Sequence, residues 1–415
     1  MPVTRESMHG LPSIPRSIWA LGFVSMFMDI SSEMIHSLLP VFIVSVLGAS
    51  ATALGLLEGV AEGAVNVAKI CSGVLSDWLS KRKALALIGY GIAAVTKPLF
   101  PVADSFAVVF VARLMDRIGK GIRGAPRDAL VADLAPVQAR GASYGLRQSL
   151  DAVGAFLGPL GAICLMLVFE GSFRKVFWIA VLPAFFSVGC LAIFVHEPPD
   201  SLKRQKSRPQ VHWQELRYFS RPFWFVVAIG AVFTLARFSE AFLILRAKSV
   251  GLSNDYVPLV LVVMNGVYAA SSYPGGHLSD RMDRHLILAV GGTALVAADF
   301  ALATATGLAG LAVGISLWGL HMGLSQGLLA ALVADAAPVE RRGSAFGLFN
   351  LVSGVLMLVA SVVAGALWDR IGPAATFYAG ASFALLGVAG LLLQIGVTSK
   401  AGISAINSWR SRFLS

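Results

Sequence analysis

The sequence predicts an all-α polytopic membrane protein, with twelve transmembrane helices in two six-helix bundles related by a pseudo-two-fold axis. Three observations carry this reading. Apolar stretches of about 20 residues recur along nearly the whole chain, each long enough to cross a hydrocarbon core of about 30 Å as a helix. Of the 415 residues 56% are hydrophobic and 13% charged, with a mean hydropathy of +0.75, far from soluble averages. The chain also repeats itself. ALVADLAPVQARGASYGL (Ala129 to Leu146) returns as ALVADAAPVERRGSAFGL (Ala331 to Leu348) with 12 identities in 18 positions, and GVLSD (Gly73 to Asp77) returns as GHLSD (Gly276 to Asp280), both at an offset of about 200 residues. A water-soluble enzyme is excluded. So is an outer-membrane barrel, whose strands would alternate in segments of about 10 residues.

Taken in order, residues 1–17 are polar and carry Pro2, Pro12 and Pro15, which makes them a cytoplasmic tail. The apolar run that follows is about twice a signal-peptide core and lacks a small-residue cleavage site, so it is expected to stay as the first helix. Breaks at glycine, proline and charge clusters give spans near Ile18 to Leu47, Ala53 to Leu79, Ala84 to Val102, Phe106 to Pro126, Ala142 to Phe169 and Val176 to Val195. A second set lies near Phe223 to Leu245, Tyr256 to Leu278, Leu286 to Thr306, Leu308 to Ala334, Ser344 to Leu367 and Ala374 to Val397. The expected domains are therefore a bundle over 18–195, a basic linker over 196–221, a bundle over 222–397 and a tail over 398–415.

Twelve spans put both termini on one side, and the ends and loops of that side hold 20 Lys and Arg against five on the other. Positive charge stays in the cytoplasm, so both termini are expected there, in a bacterial inner membrane. This also disposes of nucleic acid as the meaning of the net charge of +10. Cys71, Cys164 and Cys190 form no CxxC pair, and no HxxxH or Cys/His cluster occurs, so neither a cofactor nor a metal is expected.

Four stretches carry a family resemblance. GVLSDWLSKRK (Gly73 to Lys83) resembles the loop signature of the major facilitator superfamily, and GHLSDRMDR (Gly276 to Arg284) occupies the matching loop of the duplicate. ARLMDRIGKG (Ala112 to Gly121) is similar to that family's fourth-helix pattern. GAFLGPLG (Gly154 to Gly161) is similar to the fifth-helix Gly-Pro pattern associated with exporters and antiporters. The resemblance implies a substrate site near the bilayer midplane between two parallel repeats, and a monomer. Where the family has glycine and a small residue, this chain has Arg117 and Lys120, which thickens the basic stripe.

Roles can be argued from the residues too. Gly73, Asp77 and Arg82, with Gly276 and Asp280 in the duplicate, are candidates for a conformational latch through cross-helix ion pairs, the alternative being a topology signal. Gly154, Gly158 and Gly161 allow close helix approach, and Pro159 can bend the span.

Ionisable groups inside the bilayer each cost roughly 2.5 to 3.5 kcal/mol, so they must face one another or water. Asp29, Glu33 and His36 share one face of the first helix; Glu58, Glu62, Asn66 and Lys69 form a stripe on the second; Arg113, Arg117 and Lys120 lie on the fourth, with Asp116 on the adjoining face; Arg147 and Asp151 are four apart on the fifth. The second half offers Arg237 and Glu240, with Asp299, His321, Gln326 and Asn350 as weaker candidates. At Arg147 and Asp151 the duplicate has Phe349 and Ser353.

Asp29, Glu33, Glu62 and Asp151 are assigned to proton coupling. Arg113, Arg117, Lys120, Arg147, Glu58, Arg237, Glu240, Asn265, Tyr268 and His321 are assigned to substrate binding. Lys97 and Arg123, near helix ends, are expected to snorkel. No Walker A pattern, Ser/His/Asp grouping or HExxH occurs, so neither ATP drive nor an enzyme is expected. The expected function is proton-coupled export of a small polar or anionic molecule or metal chelate by alternating access. Proton-coupled uptake of an organic anion and efflux of lipophilic cations are the alternatives.

Overall fold

A computed structural model describes residues 14–79, 81–136, 139–197, 219–279, 281–338 and 341–413. Their regular structure is helical throughout. The first span consists of α1 (Arg16–His36), a short α2 (Leu39–Val41) and a π turn at Phe42–Val46. It bends ahead of Pro40, which begins α2 where its missing N–H loses no bond. Next come α3 (Ala51–Leu79), α4 (Arg82–Thr96) with the short α5 (Leu99–Val102) beyond Pro98, α6 (Phe106–Leu134), α7 (Arg140–Val168) and α8 (Phe173–Phe194). The second half holds α9 (Arg221–Ala236), α10 (Ala241–Ser249), α11 (Leu259–Ser279), α12 (Arg284–Thr304), α13 (Leu308–Ala336), α14 (Arg342–Arg370) and α15 (Pro373–Phe413).

Ten spans are long and apolar enough to cross a membrane. With α3 and α6, each 29 residues long and rich in charge, the set is the expected twelve. Two local expectations need correction. Pro126 does not end the fourth span, because α6 runs through it to Leu134. The seventh span is not continuous but breaks between Ala236 and Ala241. Ser239 holds that break open: its hydroxyl accepts from the Ala241 N–H at 3.3 Å, and its own N–H donates to Ser361 Oγ on α14 at 3.3 Å.

Three pairs of helices keep one register across the duplication. α4 and α12 begin at 82 and 284, α6 and α13 at 106 and 308, and α7 and α14 at 140 and 342, a displacement of 202 residues each time. Both repeats fasten the foot of one helix to its neighbour in the same way. Arg82 pairs with Asp133 in the first, and Arg284 with Asp335 in the second.

The backbone forms two compact units, Met1–His36 with Ala64–Pro209, and Ser37–Gly63 with Gln210–Ser415. In the first unit α1 lies along α7. A Cβ at Gly154 would stand 2.6 Å from the Met26 carbonyl, and one at Gly158 2.7 Å from Glu33 Cβ and 2.9 Å from the Ile30 carbonyl. Only glycine permits this approach, and in lipid such close packing is what associates helices. In the second unit the start of α3 lies along the end of α14. A Cβ at Gly59 would meet Leu358 Cα at 2.7 Å, and the Asp369 carboxylate accepts from the Ala51 N–H at 3.0 Å, the Thr52 N–H at 2.8 Å and the Thr52 hydroxyl at 2.6 Å.

Candidate functional site

In the first unit, α1, α4, α6 and α7 converge on a dense network of charge. Asp29, Glu33 and His36 follow one another along α1, as 3.6 residues per turn requires. Opposite them, α6 presents Arg113, Arg117 and Lys120. Arg113 is buried and its Nη2 lies 2.6 Å from His36 Nδ1. Glu33 feels Lys120, Arg117, Asp29 and Arg113 as its nearest charges. Lys120 itself is exposed on the helix face it shares with the two arginines. A turn deeper, Arg123 Nη2 lies 3.8 Å from Asp29, and the guanidinium sits 4.6 Å above the Tyr90 ring. The Tyr90 hydroxyl is 3.1 Å from Ser25 Oγ, which accepts from Arg127 at 3.0 Å. Arg147 donates to Asp151 at 2.6 Å and lies 3.8 Å from Asp128, while Arg127 lies 3.8 Å from Asp151.

Lys97 and Arg123 do not snorkel. Lys97 is 1% exposed, donating to Asp116 at 2.8 Å and to Ser32 Oγ at 3.0 Å, and Arg123 is 3% exposed. The turn at Pro98 aims Lys97 at α6, where Asp116 stands on the face adjoining the arginines. Asp116, weighed only as an offset charge, is thus a member of the network. Arg127 and Asp128 were missed because the fourth span was expected to stop at Pro126.

The second unit gathers fewer charges. Glu240 and Arg237 lie in the break of the seventh span, and Glu240, Tyr268 and Glu62 act electrostatically on Arg237. The Tyr268 hydroxyl donates to Gln326 at 3.3 Å. Glu62 therefore groups with Arg237. Asn265 is half-buried on α11 and Glu58 is buried on α3. His321 is 2% exposed, its Nδ1 2.8 Å from the Gly291 carbonyl and its ring 6.0 Å from Phe233. It fastens α13 to α12, and Arg237 acts on it electrostatically.

Of the latch residues, Gly73 and Gly276 are half-buried near the ends of α3 and α11. Arg82 donates to Asp133 and to the Ala129 carbonyl at 3.0 Å. The Asp77 side chain and Asp280 lie outside the described residues, as do the linker over 198–218 and the extreme tails. Asp133 and Asp335 were missed as partners, although both stand in the duplicated ALVAD stretch.

Comparison with known proteins agrees with this architecture. Residues 21–360 match the Major Facilitator Superfamily. The chain is 32% identical over 388 residues to an uncharacterized MFS-type transporter of Methanocaldococcus jannaschii, covering 92% of this chain and 94% of that one. It is 23% identical over 262 residues to the quinolone resistance protein NorA of Staphylococcus aureus, covering 61% and 64%. Among solved structures, a POT family transporter in complex with a thioalcohol-conjugated peptide superposes with a TM-score of 0.76 at 11% identity, over 93% of this chain and 96% of that one.

Proposed function

The chain belongs to the major facilitator superfamily, multi-pass membrane transporters and not enzymes, and we propose that it is a proton-coupled transporter of a small anionic molecule or metal chelate. The observation that carries this reading is the network of the first unit. There Lys97, Arg113, Arg117, Lys120, Arg123, Arg127 and Arg147 gather with Asp29, Glu33, Asp116, Asp128 and Asp151, seven bases to five acids among these residues. Cations held within two helical turns repel one another unless carboxylates or a bound anion offset them. Glu33, open to Arg117 and Lys120, is the acid an arriving anion would most directly replace.

Proton coupling then follows from competition. With the anion bound to Arg113, Arg117 and Lys120, a neighbouring carboxyl gains less from staying ionised and takes a proton. When the anion leaves, the carboxylate is needed again and the proton goes, so anion and proton bind and leave together, a coupling of the co-transport kind that favours proton-coupled uptake of an organic anion at this site. Asp29 and Glu33 are the acids in this coupling, and Gly154 and Gly158 press α7 against α1 beside both. A change at the acids is thereby passed to the helix carrying Arg147 and Asp151. Orientation with both termini in the cytoplasm of an inner membrane, and action as a monomer, belong to the same proposal.

Export is supported by the GAFLGPLG stretch and by similarity to a protein named for quinolone resistance. A second reading is efflux of lipophilic cations, with Glu62 and Glu240 near Arg237 as the acidic partners. Reconstitution in liposomes with an imposed pH gradient, screened against dicarboxylates, phosphate esters, citrate chelates of divalent metals and lipophilic cations, separates the two. Proton movement stimulated by an anion supports the first, and stimulation by lipophilic cations alone replaces it with the second.

A further inference from the structure

Asp299, on α12, is wholly buried, and among the described residues neither of its oxygens has a hydrogen-bond partner. It takes part in no ion pair there. A Cβ placed on Gly380 of α15 would stand 2.6 Å from Asp299 Oδ2, 3.0 Å from the Phe238 ring edge and 3.1 Å from the Ala236 carbonyl oxygen. The carboxylate, that ring and that carbonyl therefore converge on one point of α15. Ala236 is the last residue of α9 before the break in the seventh span, where helix carbonyls lose their partners four residues on. Beside Phe238, with ring centroids 5.5 Å apart, stands Trp318, also wholly buried, whose indole N–H has no acceptor among the described residues. A cavity of about 60 Å³ adjoins Gly380, lined by Leu235, Phe238, Val363, Thr376 and Phe383.

The duplication tells what is missing. Displaced by 202 residues, Asp299 corresponds to Lys97 and Trp318 to Asp116. In the first repeat these two places hold an ion pair at 2.8 Å. The second keeps the acid, moved to the other helix, and has no base. A carboxylate buried without a cation costs several kcal/mol, so a cation has to come from outside. Among the described residues, no group packed around α12 pairs with Asp299: Arg246 of α10 is engaged with the carbonyls of Leu302, Ala303 and Ala305; α13 offers His321, engaged with Gly291; α11 offers Tyr268; α15 offers Tyr378, which packs on Phe300; and Arg237 and Glu240 of the break interact with each other.

We propose that Asp299 is a second coupling-cation site, taking a small monovalent cation, a proton or a sodium ion, between its carboxylate and the Ala236 carbonyl. The break of the seventh span supplies the carbonyl and is the element through which occupancy acts on the conformation. Trp318 is a positioning residue, contributing the cluster's remaining unused donor. The site extends the coupling reading to the second repeat and rests on that reading for its role in transport. Binding at Asp299 is measured without transport, so the two can fail separately.

The test is infrared spectroscopy of the purified protein in lipid, wild type minus Asp299→Asn, in water and in D₂O, with choline chloride or sodium chloride. In choline the difference spectrum is expected to show the carbonyl stretch of one un-ionised carboxylic acid, shifting downward within minutes in D₂O. If sodium leaves the band in place the ligand is the proton, and if sodium converts it to a carboxylate band the ligand is the sodium ion. Trp318→Phe is expected to move the same band, and Asp29→Asn/Glu33→Gln to leave it unchanged. An ionised carboxylate identical in choline and sodium would overturn the proposal, as would an acid band that never exchanges in D₂O. Should Asp299→Asn fail to fold, the Trp318→Phe and sodium comparisons on otherwise native protein decide the same question.

Discussion

Two regions of the molecule share a backbone and differ in charge. Where the first repeat places Lys97 against Asp116, with Arg113, Arg117 and Lys120 along the same helix, the second places Asp299 and Trp318, with Ile315, Gly319 and Met322. The helices nonetheless begin in the same register, and both repeats keep the Arg82–Asp133 and Arg284–Asp335 fastenings. What the fold requires has survived in both copies: the foot-of-helix ion pair. What one copy carries alone is not required by the fold. In the proposed reading the charges of α1, α6 and α7 that the second repeat lacks serve transport.

The comparison can be broken at several strengths. The largest effect is expected from Asp29→Asn/Glu33→Gln, which should abolish anion-stimulated proton movement in liposomes while purified yield stays near wild type. Proton movement of wild-type rate would make these acids architectural after all. Next comes Lys97→Ala. Leaving Asp116 buried without its base is expected to destabilise the protein by about 3 to 5 kcal/mol. Asp299→Asn, which deletes no partner, should change stability by less than about 1 kcal/mol. Thermal unfolding of the two in one detergent decides this, and equal losses would undo the contrast between the repeats. Arg113→Ala should weaken binding of the screened anion more than Lys97→Ala does, measured by titration calorimetry.

Smaller effects sharpen the picture. Gly158→Ala forces a Cβ against Glu33 and the Ile30 carbonyl, and overpacking of this kind typically costs about 1 to 3 kcal/mol. The equivalent Ala360 already carries that methyl in the second repeat. A substitution that leaves stability and coupling untouched would remove α7 from the coupling path. The smallest effect is expected at Asp369, whose carboxylate caps the start of α3. Such a cap is worth about 1 kcal/mol, reduced here by solvent screening. Asp369→Asn should raise thiol labelling of a cysteine introduced near Thr52 a few-fold, and unchanged labelling would mean that the contact does not hold these helix ends together.

Much of this was legible in the sequence. Span length, the duplication and the one-face spacing of Asp29, Glu33 and His36 follow from composition and helical period alone, because they are local. The exporter-like glycines were legible as packing residues, but not that they pack against Asp29 and Glu33, which depends on how α7 meets α1. Lys97 misled because position near a span end suggests snorkelling, and only the turn at Pro98 brings it inward to Asp116. The break at 237–240 has no proline or glycine to announce it; it depends on Ser239 and on Ser361, 122 residues away. Asp299 was visible as a charge in an apolar run. That it lacks a base could be seen only once Lys97 and Asp116 were known to pair.

The central claim, that the first repeat's charge network couples the binding of a proton to that of an anion, is tested most directly by internal pH in proteoliposomes. Wild type and Asp29→Asn/Glu33→Gln would be challenged with each member of the anion and lipophilic-cation screen under an imposed pH gradient. At least one anion is expected to accelerate proton movement in the wild type and to have no effect in the double variant. Acceleration by lipophilic cations alone, or equal acceleration by an anion in both proteins, would contradict it.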